Sequence, residues 1–149
     1  MKIICHRANL NGSESWLENK PEQIDRCINL GYDVEVDVRY DPITQVFWLG
    51  HDEPQSKISW KWLANRHERL WIHCKNIRTL YEFAQRASSE YQYFWHQEDD
   101  FTLTSKGFIW TFPKKMLYYN SVCVLPERGY TGDLNTCYGI CSDYIKDYE

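Results

Sequence analysis

The segment GYDVEVDVRY, Gly31 to Tyr40, decides the fold. From Asp33 to Arg39 polar and apolar residues alternate strictly. Side chains on a strand point to opposite faces in turn, so Val34, Val36 and Val38 share one face while Glu35 and Asp37 share the other. Gly31 closes the preceding element: Pro21 to Leu30 carries Ile24, Cys27, Ile28 and Leu30 on one helical stripe, with Pro21 suited to the first turn and Gly31 to a C-terminal cap. Before that helix, Lys2 to Cys5 is a short apolar strand. Strand, helix, strand is the opening of a parallel sheet.

The pattern continues outward. Asp41-Pro42 marks a turn, Gln45 to Leu49 a short strand, Trp60 to His67 a helix and Leu70 to Cys74 a strand. Ile77 to Ala87 is the next helix, with Leu80, Phe83 and Ala84 turned inward. Beyond it, Tyr91 to Trp95, Phe108 to Phe112, Val122 to Leu125 and Tyr138 to Cys141 read as strands joined mainly by loops. Polar residues recur just after strand ends, which places a site at the carboxyl edge of a barrel or open sheet. A complete eightfold barrel takes about 250 residues. The 149 residues therefore predict a single α/β domain over 1–149, TIM-barrel-like but shortened or incomplete, with a loop-rich second half.

With 43% hydrophobic residues and a formal charge of -4, the chain can build a core but offers no broad basic footprint for nucleic acid or an anionic membrane. No apolar run of about 18 residues exists to span a bilayer. Met1 to Cys5 is too short for a signal peptide, so the six cysteines are expected to be reduced in a cytoplasmic protein. Cys5, Cys74, Cys123 and Cys141 sit among apolar neighbours, as small core residues do. Cys137 and Cys141 have no partner pair for a zinc site.

Several residues could carry chemistry. Glu35 and Asp37 either face solvent or share a buried site, and burial demands a cation; a hard divalent metal suits two carboxylates. His6-Arg7 and His51-Asp52 each follow a short apolar strand, which brings both imidazoles to one rim as an acid/base pair, with an arginine suited to a phosphate or carboxylate. His73 and Lys75 share a strand face, the first a third metal ligand, the second a cation for an anionic substrate. His96-Gln97-Glu98, Trp110-Thr111 and Ser142-Asp143 fall at later strand ends, and His67 in NRHER is expected to be solvated.

The ordered set His6-Arg7, Glu18-Asn19, Gly31 to Val38 with its Glu-x-Asp-Val, and His51-Asp52 resembles the glycerophosphodiester phosphodiesterase family of the phospholipase C-like phosphodiesterases. The likeness is dense over the first third of the chain. Further on, LWIHCK resembles the family's third strand, IWTFP a late Trp-Thr strand and YGICSDYI its final strand. HRANLNG, LWIHCKN and FWHQEDDFTLTSKG resemble a compact branch of the superfamily. The resemblance implies a TIM barrel and metal-assisted attack on a small phosphodiester, with His6 and His51 as acid and base. Glu35 and Asp37 become metal ligands, with His73 completing the set. Arg7, Glu18, Lys75 and His96 become substrate contacts.

Two departures stand out. Where the family places a third carboxylate ligand, this chain has His73, which removes a negative charge and adds manganese, zinc and iron to the family's magnesium or calcium. The barrel is also shorter by roughly 100 residues than a typical one, the loss falling after His96. Three functions remain open: hydrolysis or cyclisation of a phosphodiester, phosphate binding without turnover, and isomerase or lyase chemistry on a phosphorylated sugar. An incomplete barrel exposes sheet edges, which a covering segment or the partner of a homodimer would shield.

Overall fold

Strand β2 (Asp33–Asp41) is buried on both faces over most of its length. Its valines pack beneath helices, and its carboxylates point into the concavity of a curled sheet. The computed structural model describes residues 1–149. Its other elements are β1 (Lys2–Cys5), α1 (Pro21–Asn29), β3 (Val46–Leu49), β4 (Ser56–Ile58), α2 (Trp60–Ala64), β5 (Leu70–Cys74), α3 (Ile77–Arg86), β6 (Gln92–Phe94), β7 (Phe101–Leu103), β8 (Ile109–Thr111), β9 (Ser121–Val124) and β10 (Gly139–Ser142).

Parallel pairing gives the order β6-β5-β2-β1-β10-β9-β8. The first and last strands of this row lie far apart in the order yet share a core: the rings of Phe94 on β6 and Trp110 on β8 are 4.5 Å apart, and Trp71 on β5 lies 5.9 Å from Trp110. The sheet is therefore curled. Between β6 and β8 the edge is bridged by the segment around β7, which pairs antiparallel with β8. Tyr93 donates its N–H to Ser105 Oγ, Ser105 returns an N–H to the Tyr93 carbonyl, and Thr102 Oγ1 donates to the Trp95 carbonyl, each at 2.9 Å. This is a mixed α/β architecture consistent with a shortened barrel.

Two apolar layers result. The concave one holds Ile4, Trp71, Phe94, Trp110, Val122 and Cys141; the convex one holds the β2 valines with Ile24, Cys27, Ile72 and Phe83 under the helices. Helix α1 starts with Pro21 and ends at Gly31, whose φ of 95° is the left-handed turn that glycine permits. Asn76 caps α3 by accepting the Thr79 N–H at 2.8 Å. From β6 to β10 there is no α-helix; 3₁₀ turns at Pro126–Arg128 and Leu134–Thr136 replace them, and a small cluster of Cys123, Cys137 and Ile140 packs against Leu117, Tyr130, Leu134 and Tyr148. The second half is loop-rich, as expected. All six cysteines are free and buried. No helix is long and apolar enough to cross a membrane.

Four local expectations need correction. The strand before His51 runs antiparallel to β2, because the turn after Asp41 is far shorter than the dozen or so residues that a parallel crossover needs. Asp41 instead seals a hairpin, accepting from the Ile43 N–H at 2.9 Å and the Thr44 hydroxyl at 2.7 Å. The helix from Trp60 stops at Ala64, and His67 begins a separate 3₁₀ turn. His67 is not simply solvated: it stacks on Tyr91 at 4.8 Å, and its Nδ1 meets the Ala64 carbonyl at 2.7 Å. Ala84 faces outward, leaving Thr79 and Phe83 as the buried face of α3.

Candidate active site

At the end of β1 the chain turns through His6–Ala8, with Arg7 and Ala8 at φ 51° and 68° in the left-handed region that costs a non-glycine residue energy. The turn points the Arg7 N–H at Glu35, which accepts it at 3.0 Å through Oε2. Asn19, also left-handed, forms a closed pair with Asp37: its Oδ1 accepts the Asp37 N–H and its Nδ2 donates to Oδ2, both at 2.9 Å. Asparagine tolerates this conformation better than most residues. The loop from Asn9 to Lys20 is thus pinned to β2 at both ends.

Glu35 and Asp37 are 1% and 0% exposed, so solvation cannot be their role. Across the sheet, His73 pairs with Asp37 in register. Its Nδ1 lies 3.6 Å from Glu35 Oε1 and 3.3 Å from Asp37 Oδ1. Ligand atoms of Glu35, Asp37 and His73 lie within 4.8 Å of one another. Two details fit a cation among them. Asp37 Oδ1 is buried with no hydrogen-bond partner. His73 Nε2 meets the His96 carbonyl at 2.7 Å, which requires the proton on Nε2 and leaves Nδ1 as the inward atom.

Two further cations of the chain, Arg7 and Lys75, also face this pair. Arg7 Nε is 3.4 Å from Asp37 Oδ2 without making a hydrogen bond, and Lys75 Nζ is 3.8 Å from Oδ1. Burial pushes the Asp37 carboxyl up, but the His73 imidazole, Arg7 and Lys75 outweigh it and hold the acid well below the usual carboxylate range. Burial alone would lower His73; Asp37 and Glu35 reverse that and push it up to about 9. Glu18 accepts from Arg7 Nη1 at 3.4 Å, Asn9 Nδ2 at 2.9 Å and Ser13 Oγ at 2.6 Å. Burial raises its carboxyl, and these donors with Arg7 bring it below its ordinary value.

The two imidazoles reach the rim differently. His6 is 9% exposed, and its Nδ1 lies 2.7 Å from Asp143 Oδ1, with Nε2 making no bond to the protein. Asp143 also accepts from Asn9 Nδ2 at 2.8 Å. Burial raises the Asp143 carboxyl, while His6, Asn9 and Arg7 hold it below the usual range. His51 arrives on the returning arm of the β2–β3 hairpin, where Arg39 binds the carbonyls of Gly50 and His51. Gly50 is obligatory there, since a Cβ would sit 1.9 Å from the Glu53 carbonyl oxygen. The more exposed His51 ring bonds Asp52 through Nδ1 at 2.8 Å.

A polar cavity of about 750 Å3 is lined by His51, His73, Lys75, His96, Gln97, Glu98 and Asp99, and His73 and Lys75 join it to the buried carboxylates. His96 lines the cavity with its ring Nε2 at 2.6 Å from the Asp99 carbonyl, and burial lowers its basicity. Its backbone carbonyl accepts from His73 Nε2. The rim therefore gathers Arg7, Glu18, Glu35, Asp37, His73 and Lys75 into one network, with His6 attached through Asn9 and Asp143, and His51 on the cavity wall. Asn9 and Asp143 were not assigned roles from sequence. Asp143 gave a signal in following an apolar strand; Asn9 gave none, since its importance rests on two partners that only the fold brings together. Comparison with protein-family models, curated proteins and solved structures gives no match.

Proposed function

We propose that the protein is a metal-dependent phosphodiesterase, a compact member of the glycerophosphodiester phosphodiesterase group with a shortened TIM barrel, acting on a small phosphodiester. The observation that carries this reading is the network itself: a buried Glu35-Asp37-His73 set joined to a polar cavity, with His6 and His51 each backed by an aspartate. A divalent cation held by Glu35, Asp37 and His73 would supply charge neutralisation at a non-bridging phosphate oxygen. The imidazole-containing donor set suits manganese, zinc or iron as well as magnesium or calcium.

The chain's own groups do the rest. Lys75, and Arg7 held by Glu18, bring positive charge to the bound phosphate. Asp143 and Asp52 each accept a hydrogen bond from a histidine Nδ1–H, which holds that proton on Nδ1 and leaves two Nε2 atoms for proton transfer. One imidazole withdraws the proton of the attacking water or substrate hydroxyl, and the other returns a proton to the departing alkoxide. Water as nucleophile gives hydrolysis; a neighbouring substrate hydroxyl gives a cyclic phosphate.

A phosphate-binding module without turnover is the second reading, favoured by one feature: Arg7, Lys75 and His73 already balance the carboxylates without any added cation. A screen of divalent metals against small phosphodiesters, followed by phosphorus NMR, separates the two. Turnover that falls roughly 10²-fold or more in His6→Ala and His51→Ala is expected. Absence of turnover with every metal, or full activity in His6→Ala, overturns the enzymatic reading; phosphate stabilising a metal-free, inactive protein would support the second.

A further inference from the structure

We propose that Glu127 is a positioning residue for His6, acting through Asp143. After β9 the chain enters the left-handed region at Leu125, φ 49°, and the Pro126–Arg128 turn folds back over the end of β10. Leu125 donates its N–H to the Cys141 carbonyl at 2.7 Å, which sets the turn directly against that strand. The Glu127 carboxylate then bridges two consecutive residues: Oε1 accepts the Asp143 N–H and Oε2 accepts the Ser142 hydroxyl, both at 2.9 Å. Ser142 and Asp143 are 0% and 7% exposed, so solvent does not replace these bonds readily.

Every other tie on Asp143 comes from the β1 side. Its side chain meets His6 and Asn9, and its carbonyl accepts the Gly12 N–H at 2.7 Å. All three partners lie on the turn and loop that also carry Arg7, so they move with the residue they orient. Asp143 leaves the end of β10, and Glu127 alone ties its backbone to the turn that follows the neighbouring strand β9. That fixes the direction of the Asp143 carboxylate in the frame of the sheet. The carboxylate keeps the His6 proton on Nδ1 and Nε2 free for proton transfer. A carboxylate so placed would otherwise be an unneeded negative charge beside Asp143.

The catalytic consequence rests on the phosphodiesterase reading; the orientation of His6 does not, and the test separates them. Long-range proton–nitrogen NMR of the neutral imidazole distinguishes Nδ1–H from Nε2–H. In Glu127→Ala the His6 signal is expected to move from the Nδ1–H form toward the Nε2–H form that an unsupported imidazole prefers. Glu127→Gln, whose amide oxygen can still accept the Asp143 N–H, is expected to restore the wild-type signal. Ser142→Ala removes the other partner of Glu127 and spares Asp143, so its His6 signal stays in place. If diester turnover is present, kcat in Glu127→Ala falls roughly ten- to a hundredfold with KM nearly unchanged. Should that variant fail to fold, Glu127→Asp, one methylene too short to reach, carries the same expectation. An unchanged His6 signal in the alanine variant, or the same shift in Ser142→Ala, overturns the proposal. A shifted signal in a protein without turnover supports the positioning role and counts only against the phosphodiesterase reading.

Discussion

His73 stands where a carboxylate would make the site more acidic, and its burial beside Glu35 and Asp37 makes it the residue most sensitive to pH. With divalent metal removed by chelation, its basicity in the folded protein is raised to about 9 from an ordinary 6.5. The folded state then holds a proton that the unfolded chain releases first. The stabilisation is complete below pH 6.5 and is lost as pH rises through about 9. It amounts to on the order of 3 kcal/mol, counted once for the interaction with Asp37 and Glu35. Urea midpoints of chelated protein should fall across that window, and His73→Gln should flatten the fall; an unchanged slope in the variant would assign the effect elsewhere. The same proton occupies Nδ1, the atom a metal would use, so metal affinity is expected to rise with pH over this range.

Helix α3 hydrogen-bonds to β2 through Thr79, whose value cannot be judged from its own helix. Thr79 Oγ1 accepts the Tyr40 N–H at 2.7 Å and donates to Asn76 Oδ1, also at 2.7 Å. Thr79→Val keeps the shape and strands that buried N–H, at an expected cost of about 1–3 kcal/mol by denaturant titration. Isolated α-helical periodicity finds α3 but misplaces Ala84, because the face that matters is set by β2 and β6 rather than by apolar content. The same distinction separates what was legible at the site. Glu35 and Asp37 could be placed on one face from alternation alone, and His73 and Lys75 likewise. Whether the acidic face was wet or buried depended on the sheet curling, which no local pattern encodes. The sequence pattern does not mark strands β4 and β7, each three residues long. Asp143 lies 137 residues from its partner His6, and only the pairing of β10 with β1 joins them.

For the molecule as a whole, the contrast between halves should be visible in its motions. β1, β2 and β5 are sealed by α1, α3 and a continuous core of fully buried side chains, whereas β7 exposes Phe101 and Leu103 and is held to β6 largely through Ser105 and Thr102. Hydrogen exchange should therefore be fastest at β7 and β8 and slowest at β2 and β5, by a margin that reflects sub-global opening. Equal protection across the sheet would show one cooperative unit instead. The acids on β2 carry a further consequence, for the burial of their strand. Asp33 needs Lys2 and Arg69, Glu35 needs Arg7, and Asp37 needs Arg7, His73 and Lys75. Desolvating any of these carboxylates alone would cost several kcal/mol. Burial of the central strand therefore depends on partners supplied from both of its sides, by β1 with the turn after it and by β5 with the residues that flank it.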